Sequence, residues 1–435
     1  MAGRDIGSSG DDHHAEMGPM TVESLHAQSA DIIEVTRDNL RRATEGLPRA
    51  VRFALGYPLK IRSGALTMVL PDGRRLLFRG HEPGPSAELI VRDYRFARRL
   101  MFEGDLGFAE AFMRREWDSP DPAGLLYFFC INIEAIAHMP RHNPVARLLQ
   151  HYRHWRNRNT KAQARRNIMA HYDLGNTFYR AWLDPSMTYS SAYFGAGAAS
   201  LPEAQRAKYR LLADQLGLKP GDHVLEIGCG WGGFAEHAAR LGIRVHGVTI
   251  SPSQLAFGQE RMRHQQLDHL AHLELCDYRD LDGKYDAIVS IEMFEAVGER
   301  FWQTYFDTVS ARLKAGGRAL IQSITIDEAV FERYRDSADF IREFIFPGGM
   351  LPSHERFSRC ALRAGLTTRD RFHFGRDYAE TLRRWNDAFQ AQRETIAAQG
   401  FDERFRRLWQ LYYVFCEVGF DEGQTDVVQF LLQKE

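Results

Sequence analysis

The 435-residue sequence predicts an α/β protein. Its main body is a doubly wound, mostly parallel sheet with helices on both faces, and a smaller α+β domain precedes it. Three observations predict this. From Leu201 onward, apolar strand-like runs alternate with helical patterns, as in a layered parallel sheet. The first of those runs ends in a glycine-rich turn that opens a helix,. Upstream, Asp72-Gly73 lies between two apolar runs, a hairpin signal because glycine supplies the positive φ.

The elements follow in order. Residues 1–20 are rich in Gly, Ser, Asp and His and read as a disordered tail,. A domain over 21–140 comes next. Val22 to Leu55 carries helical spacing at Leu25, Ile32, Ile33, Val35 and Leu40,. Ala65–Leu70, Arg75–Phe78 and Ala87–Val91 read as strands, and Tyr94–Phe102 and Phe108–Arg115 as helices. In the second body a helix from Pro202 ends at Gly217. Strands are expected at His223–Ile227, Arg244–Thr249, Leu273–Cys276, Tyr285–Ser290 and Arg318–Gln322.

Composition narrows the function. Lys plus Arg total 56 and Asp plus Glu 57, a formal net charge of −1, so a globally basic nucleic-acid binder is not indicated. No apolar run reaches the roughly 18 residues of a membrane span. The N-terminus lacks a secretory pattern. Five cysteines form no CxxC pair, so neither a disulfide framework nor a metal site is expected, and the compartment reads as cytoplasmic.

The balanced total conceals an acid-free basic segment. Residues 141–172 contain Arg141, Arg147, Arg153, Arg156, Arg158, Lys161, Arg165 and Arg166, with Tyr152 and Trp155 interleaved. A solvated face is one reading. A surface for anionic phospholipid headgroups is another, because each basic residue there is worth about 1 kcal/mol. Nucleic acid is a weaker third.

The strongest motif is Val224-Leu-Glu-Ile-Gly-Cys-Gly-Trp-Gly-Gly-Phe234. Gly228 and Gly230 permit a tight turn and close approach of a ligand at the carboxyl end of the sheet. The glycine spacing departs from the dinucleotide fingerprint, so a plain NAD site fits poorly. Glu226 points toward the same crevice and can accept hydrogen bonds from an ammonium group. The segments Gly247–Gln254, Cys276–Asp280 and Ser290–Gly298 also lie at carboxyl ends of expected strands.

The first motif resembles that of class I S-adenosylmethionine-dependent methyltransferases. The ordered set His171–Asn176, Met187–Phe194, Leu225–Gly232, Met293–Gly298, Phe346–Pro352 and Asp377–Trp385 is more specific. It resembles the cyclopropane-fatty-acyl-phospholipid synthase family, from about residue 165 to the C-terminus and more weakly before it. The resemblance implies a Rossmann-like catalytic domain over 173–435, with an insertion at 326–374 covering an acyl-chain tunnel. It implies transfer of a methyl(ene) group from S-adenosylmethionine to the double bond of an unsaturated phospholipid acyl chain. Tyr189, Ser190, Glu226, Gly228, Gly230, Gly232, Thr249, Ile250 and Gln254 would contact the cofactor, with Asp277 and Tyr278 near the adenine. A homodimer and a peripheral place on the inner membrane face are also implied.

An isolated alkene is a weak nucleophile, so the chemistry needs a dry, aligned site. A proton must then leave. In the family a bicarbonate ion is the base, held by a Cys, a Glu, a His, an Ile backbone group and a Tyr. The resemblance places Glu295, Ile324 and Tyr378 in three of those roles. The other two depart: Ser191 stands at the Cys position and Gln322 at the His position. Ala296 replaces the His that usually follows the Glu. Cyclopropanation is therefore not assured, and methylation without ring closure is a candidate outcome. Glu292 is a further, weaker candidate, and Cys416 reads as structural. A methyltransferase for a soluble small molecule and a non-catalytic lipid-binding protein are the competing readings.

Overall fold

The computed structural model describes residues 32–136, 174–336 and 339–435. The expected tail, the basic segment 141–172 and the motif residues His171 to Asp173 lie outside them.

The N-terminal sheet has strands β1 (Ile32–Glu34), β2 (Ser63–Val69), β3 (Arg75–Arg79), β4 (Glu82–Val91) and β5 (Trp117–Asp118). Their order is β1-β3-β2-β4-β5. The hairpin forms as expected: β2 pairs antiparallel with β3, and Gly73 has φ +88° in the turn. Helices α1 (Arg95–Met113) and α2 (Pro122–Ile131) follow. Gly104 interrupts α1 at φ 58°, ψ −131°, so the two helical segments read from the sequence are halves of one broken element.

One expectation fails here. Ile32 and Ile33 do not belong to a helix but to β1, which pairs parallel with β3. Adjacent β-branched residues favour a strand once an edge is available. Helix is confined to Leu40–Ala43 and Arg49–Ala54, separated by Pro48.

The second sheet contains β6 (His223–Ile227), β7 (Arg244–Thr249), β8 (Ala271–Leu275), β9 (Tyr285–Ile291), β10 (Leu313–Ile326), β11 (Leu366–His373) and β12 (Thr425–Lys434). The order is β11-β12-β10-β9-β6-β7-β8. β6 pairs parallel with both β7 and β9, so the strand order reverses beside it and opens a crevice at its carboxyl end. Helix α3 (Leu201–Leu216) leads into β6, and α4 (Gly233–Arg240), α5 (Pro252–His264) and α6 (Trp302–Arg312) supply crossovers. Ser200 and Glu203 form a capping box on α3, and Gly217 ends it at φ 65°,.

The segment 326–374 is not a lid throughout. It contains helix α7 (His354–Arg363) and β11, an integral strand of the sheet. β12 runs antiparallel between β10 and β11. Between β11 and β12 the chain leaves the sheet to form α8 (Gly375–Ala391) and α9 (Glu403–Asp421).

Helix α9 joins the two bodies. Arg407, 7% exposed, donates from Nε to Phe112 O at 2.6 Å and from Nη2 to Trp117 O at 3.0 Å. Its guanidinium also stacks 3.8 Å from the Phe112 ring centroid,. An aromatic cluster around Tyr179, Trp182, Trp385, Trp409 and Tyr413 packs behind the junction.

Candidate active site

The glycine turn follows directly from β6. Gly228, Gly230 and Gly232 have φ of +84°, +51° and +81°. The Gly228 and Cys229 amides donate to Val248 O at 2.9 and 3.0 Å, anchoring the turn to β7. A Cβ at Gly228 would lie 2.8 Å from Met293 Cγ, whereas one at Gly230 would meet nothing within 4 Å. Gly228 is thus required by crowding as well as conformation, and Gly230 leaves an open cradle.

Glu226 is 3% exposed, and its Oε2 has no hydrogen-bond partner among the described residues. Burial pushes its carboxyl up to about 8, against the pull of the Ala235 amide and Lys208,. A buried carboxyl with an unpartnered oxygen beside an open glycine cradle suits a ligand carrying hydroxyl or ammonium donors.

A cavity of about 1040 Å³ begins at this turn. Tyr189, Ser190, Glu226, Gly228 and Gly230 line it. So do Thr249, Ile250, Gln254, Asp277 and Tyr278. Thr249 Oγ1 and Gln254 Oε1 are 3.0 Å apart, and Ser251 caps α5 beneath them. Asp277 is clamped by Arg279 at 2.6 Å. Tyr189 donates to Tyr412 Oη at 2.9 Å. Gly232 does not reach the wall; it packs against Met262 and Leu273 as the first residue of the helix entry.

The cavity runs past a group of carboxylates and on to the inner face of the N-terminal sheet, where Leu66, Met68 and Leu89 close it. Glu292, Glu295, Ile324 and Tyr378 line its middle. The Ile324 amide donates to Glu295 Oε1. Glu295 Oε2 is buried with no partner among the described residues. Burial first, then the neighbouring Glu292, push the Glu295 carboxyl up to about 8.

Glu292 is the hub. Its Oε1 accepts from the Ser191 amide at 2.9 Å and from Gln322 Nε2 at 2.8 Å. It also shares a side-chain hydrogen bond with Tyr378. Burial raises its carboxyl, and Lys208 is the largest influence holding it down. Lys208 is fully buried and donates to Ser190 Oγ at 2.6 Å. Glu292 has φ 50°, uncommon for a non-glycine residue and frequent at functional sites.

Two residues assigned from the sequence are displaced from the wall. Ser191 and Gln322 are wholly buried and do not line the cavity. The Ser191 hydroxyl donates to Ala192 O at 3.0 Å. Gln322 is spent between Glu292 and Gln429, which donates to its Oε1 at 3.1 Å. The donors expected to hold a bicarbonate ion are engaged by side-chain carboxyls. The Ser191, Gln322 and Tyr378 donors turn to Glu292, and the Ile324 amide to Glu295. Cys416 is held as a thiol, its pKa raised by burial, in keeping with a structural role.

Sequence reasoning ranked Glu292 low and missed Lys208. The available signal for Glu292 was an acid directly after β9, at the ligand-facing end of the sheet. Lys208 carries no motif of its own; only the packing of α3 reveals it.

The sheet order, the glycine turn and the buried acid beside it define a class I S-adenosylmethionine-dependent methyltransferase. The chain matches the family described as mycolic acid cyclopropane synthetase over residues 159–430 and belongs to it. It is 35% identical over 429 residues to "Tuberculostearic acid methyltransferase UfaA1" of Mycobacterium tuberculosis, covering 96% of this chain and 99% of the relative. It is 35% identical over 351 residues to the cyclopropane-fatty-acyl-phospholipid synthase of Escherichia coli K12, covering 80% and 88%. The structure of mycolic acid cyclopropane synthase CmaA1 complexed with SAH and CTAB superposes with a TM-score of 0.59 at 34% identity, covering 62% of this chain and 98% of that one. The protein is therefore an enzyme that uses S-adenosylmethionine to modify fatty acyl chains.

Proposed function

We propose that the enzyme transfers a one-carbon unit to the double bond of an unsaturated phospholipid acyl chain, with the Glu292 carboxylate as the base. The observation that carries this is the donor set of Glu292. Ser191, Gln322 and Tyr378, three positions that the family resemblance gives to an anionic base, converge on it. A side-chain carboxylate takes the role of a bound ion.

The residues divide the work. Glu226 and the Gly228–Gly230 cradle would hold S-adenosylmethionine, with Tyr189, Ser190, Thr249, Ile250, Gln254, Asp277 and Tyr278 around it. The cofactor supplies an electrophilic methyl group. The apolar cavity excludes water and aligns the alkene. Glu292 accepts the proton that addition releases; its raised pKa suits a general base better than an ordinary carboxylate would. Glu295 and the Tyr378 ring flank the developing positive charge.

An open-chain methylene or methyl-branched alkene product is favoured over a ring. Gln322 cannot become cationic as a histidine can, and one full-length relative is named for tuberculostearic acid. The ring remains the second reading, supported by the relative from Escherichia coli. The basic segment 141–172 supports delivery of substrate from an anionic membrane surface,. No helix among the described residues is long and apolar enough to cross a membrane.

The test is incubation of the protein with unsaturated phospholipid and methyl-labelled S-adenosylmethionine, followed by mass analysis. Ring and methylene products share a mass, but hydrogenation adds two hydrogens only to the methylene product. Label in neither product overturns the reading.

A further inference from the structure

We propose a divalent transition-metal site at His354, His373 and Asp426, outside the reaction cavity. Each residue offers one ligand atom, and the three atoms lie within 4.8 Å of one another. They come from three separate chain segments: the start of α7, the end of β11 and the start of β12. Two imidazoles and a carboxylate suit Zn²⁺ and neighbouring first-row cations better than Mg²⁺ or Ca²⁺.

Partners behind the ligands hold them in place. Asp426 Oδ1 accepts from the Gly375 amide at 2.9 Å, while its Oδ2 meets His373 Nδ1, a fellow ligand, at 2.6 Å, a direct contact that a bound ion would replace. A Cβ at Gly375 would sit 2.5 Å from that Oδ1, so glycine there leaves room for the carboxylate. Thr325 Oγ1 lies 2.9 Å from His354 Nε2 and donates to the Asp426 carbonyl at 3.4 Å. The bond to Thr325 fixes the His354 ring and leaves its Nδ1 for an ion. Such outer partners are the usual companions of metal-binding imidazoles and carboxylates. The rings of His354 and His373 are 5.1 Å apart at 52°. The His373 side chain is 46% exposed, which gives an ion an entry path and leaves an open position for water.

The ion would act as a staple. His373 precedes α8, which carries Tyr378. His354 follows the loop in which the Met350 amide bonds Glu295 O at 2.9 Å. Thr325 follows Ile324 on β10. One ion would thus fasten the frame around the cavity without touching the reacting atoms.

The test uses the full chain after dialysis against a chelator. Zn²⁺ is titrated by calorimetry, and thermal unfolding is followed with and without it. The expected result is a Zn²⁺-dependent rise in Tm that His373→Ala and Asp426→Asn abolish. His246→Ala, which disrupts the other His/Glu cluster of the structure (His246, His272 and Glu274), should leave the rise intact. Because His373 is exposed, its variant should fold even if Asp426→Asn does not. Co²⁺ should give ligand-field absorption that disappears in the same variant. No rise in Tm, or a rise and Co²⁺ spectrum indifferent to His373→Ala, would overturn the proposal and leave a His–Asp ion pair alone.

Discussion

Gln322 donates from Nε2 to Glu292 Oε1 at 2.8 Å. The contact joins β10 to the residue just past β9 across the floor of the cavity. With Glu292 as the proposed base, the Gln322 amide would orient the carboxylate without titrating itself.

The first prediction concerns that carboxylate. Glu292→Gln should abolish methyl transfer while cofactor binding, measured by calorimetry, persists. Glu292→Gly should also be inactive alone. However, it frees the Ser191, Gln322 and Tyr378 donors, and glycine accepts φ 50° without strain,. Added bicarbonate should therefore restore turnover to the glycine variant and not to the glutamine variant. Full activity in Glu292→Gln would remove Glu292 as the base.

Glu292→Ala should also unfold more easily. It removes the largest influence favouring the charged form of the wholly buried Lys208, whose pKa burial already lowers to about 7. The Ser191 amide and Gln322 Nε2 also lose their shared acceptor, at about 1 to 3 kcal/mol for a buried group left unpaired. Urea denaturation should show the loss, and Lys208→Met in the same background should recover part of it.

Gly228→Ala places a Cβ 2.8 Å from Met293 Cγ at a φ of +84°. Strain of about 1 to 3 kcal/mol is expected, together with at least a tenfold loss of S-adenosylmethionine affinity by calorimetry. Gly230→Ala meets no clash within 4 Å, so its loss of affinity should come with less loss of stability.

A pH prediction follows from Glu226 and Glu295, each pushed by burial to about 8. The unfolded value is about 4.3, so the folded state holds more protons across the interval. Stability is highest below that lower value and falls as pH rises toward 8, where the loss levels off. Glutamine mimics the protonated acid. The Tm of Glu226→Gln relative to the parent should therefore climb between pH 5 and pH 8. A difference that stays flat would mean that Glu226 titrates normally.

Arg407→Ala should weaken the joint between the two bodies. The Trp117 carbonyl loses its Nη2 donor at 3.0 Å and the Phe112 ring its stacked guanidinium. A cost of about 2 to 3 kcal/mol is expected, visible as a lower midpoint or a split transition in thermal unfolding.

The sequence announced β6 to β10 because each is a short apolar run followed at once by its own turn or helix. The glycine turn was legible for the same local reason. β12 was hidden because its partners are remote: it pairs with β10, and 51 residues separate the end of β11 at His373 from its start at Thr425. β1 was misread because Ile32 and Ile33 satisfy helical spacing as well as a strand edge. The site divides similarly. Glu295 and Tyr378 sat in recognisable motifs. Glu292 shows its importance only through donors from distant segments and through its φ, and neither is written in local pattern.

The cavity walls come from both bodies, from the glycine turn at one end to Leu66, Met68 and Leu89 at the other. An acyl chain seated along it would touch the two hydrophobic cores at once and act as interior packing for each. Cohesion between the bodies would then grow with occupancy, so that the substrate lends mechanical strength to the enzyme that modifies it.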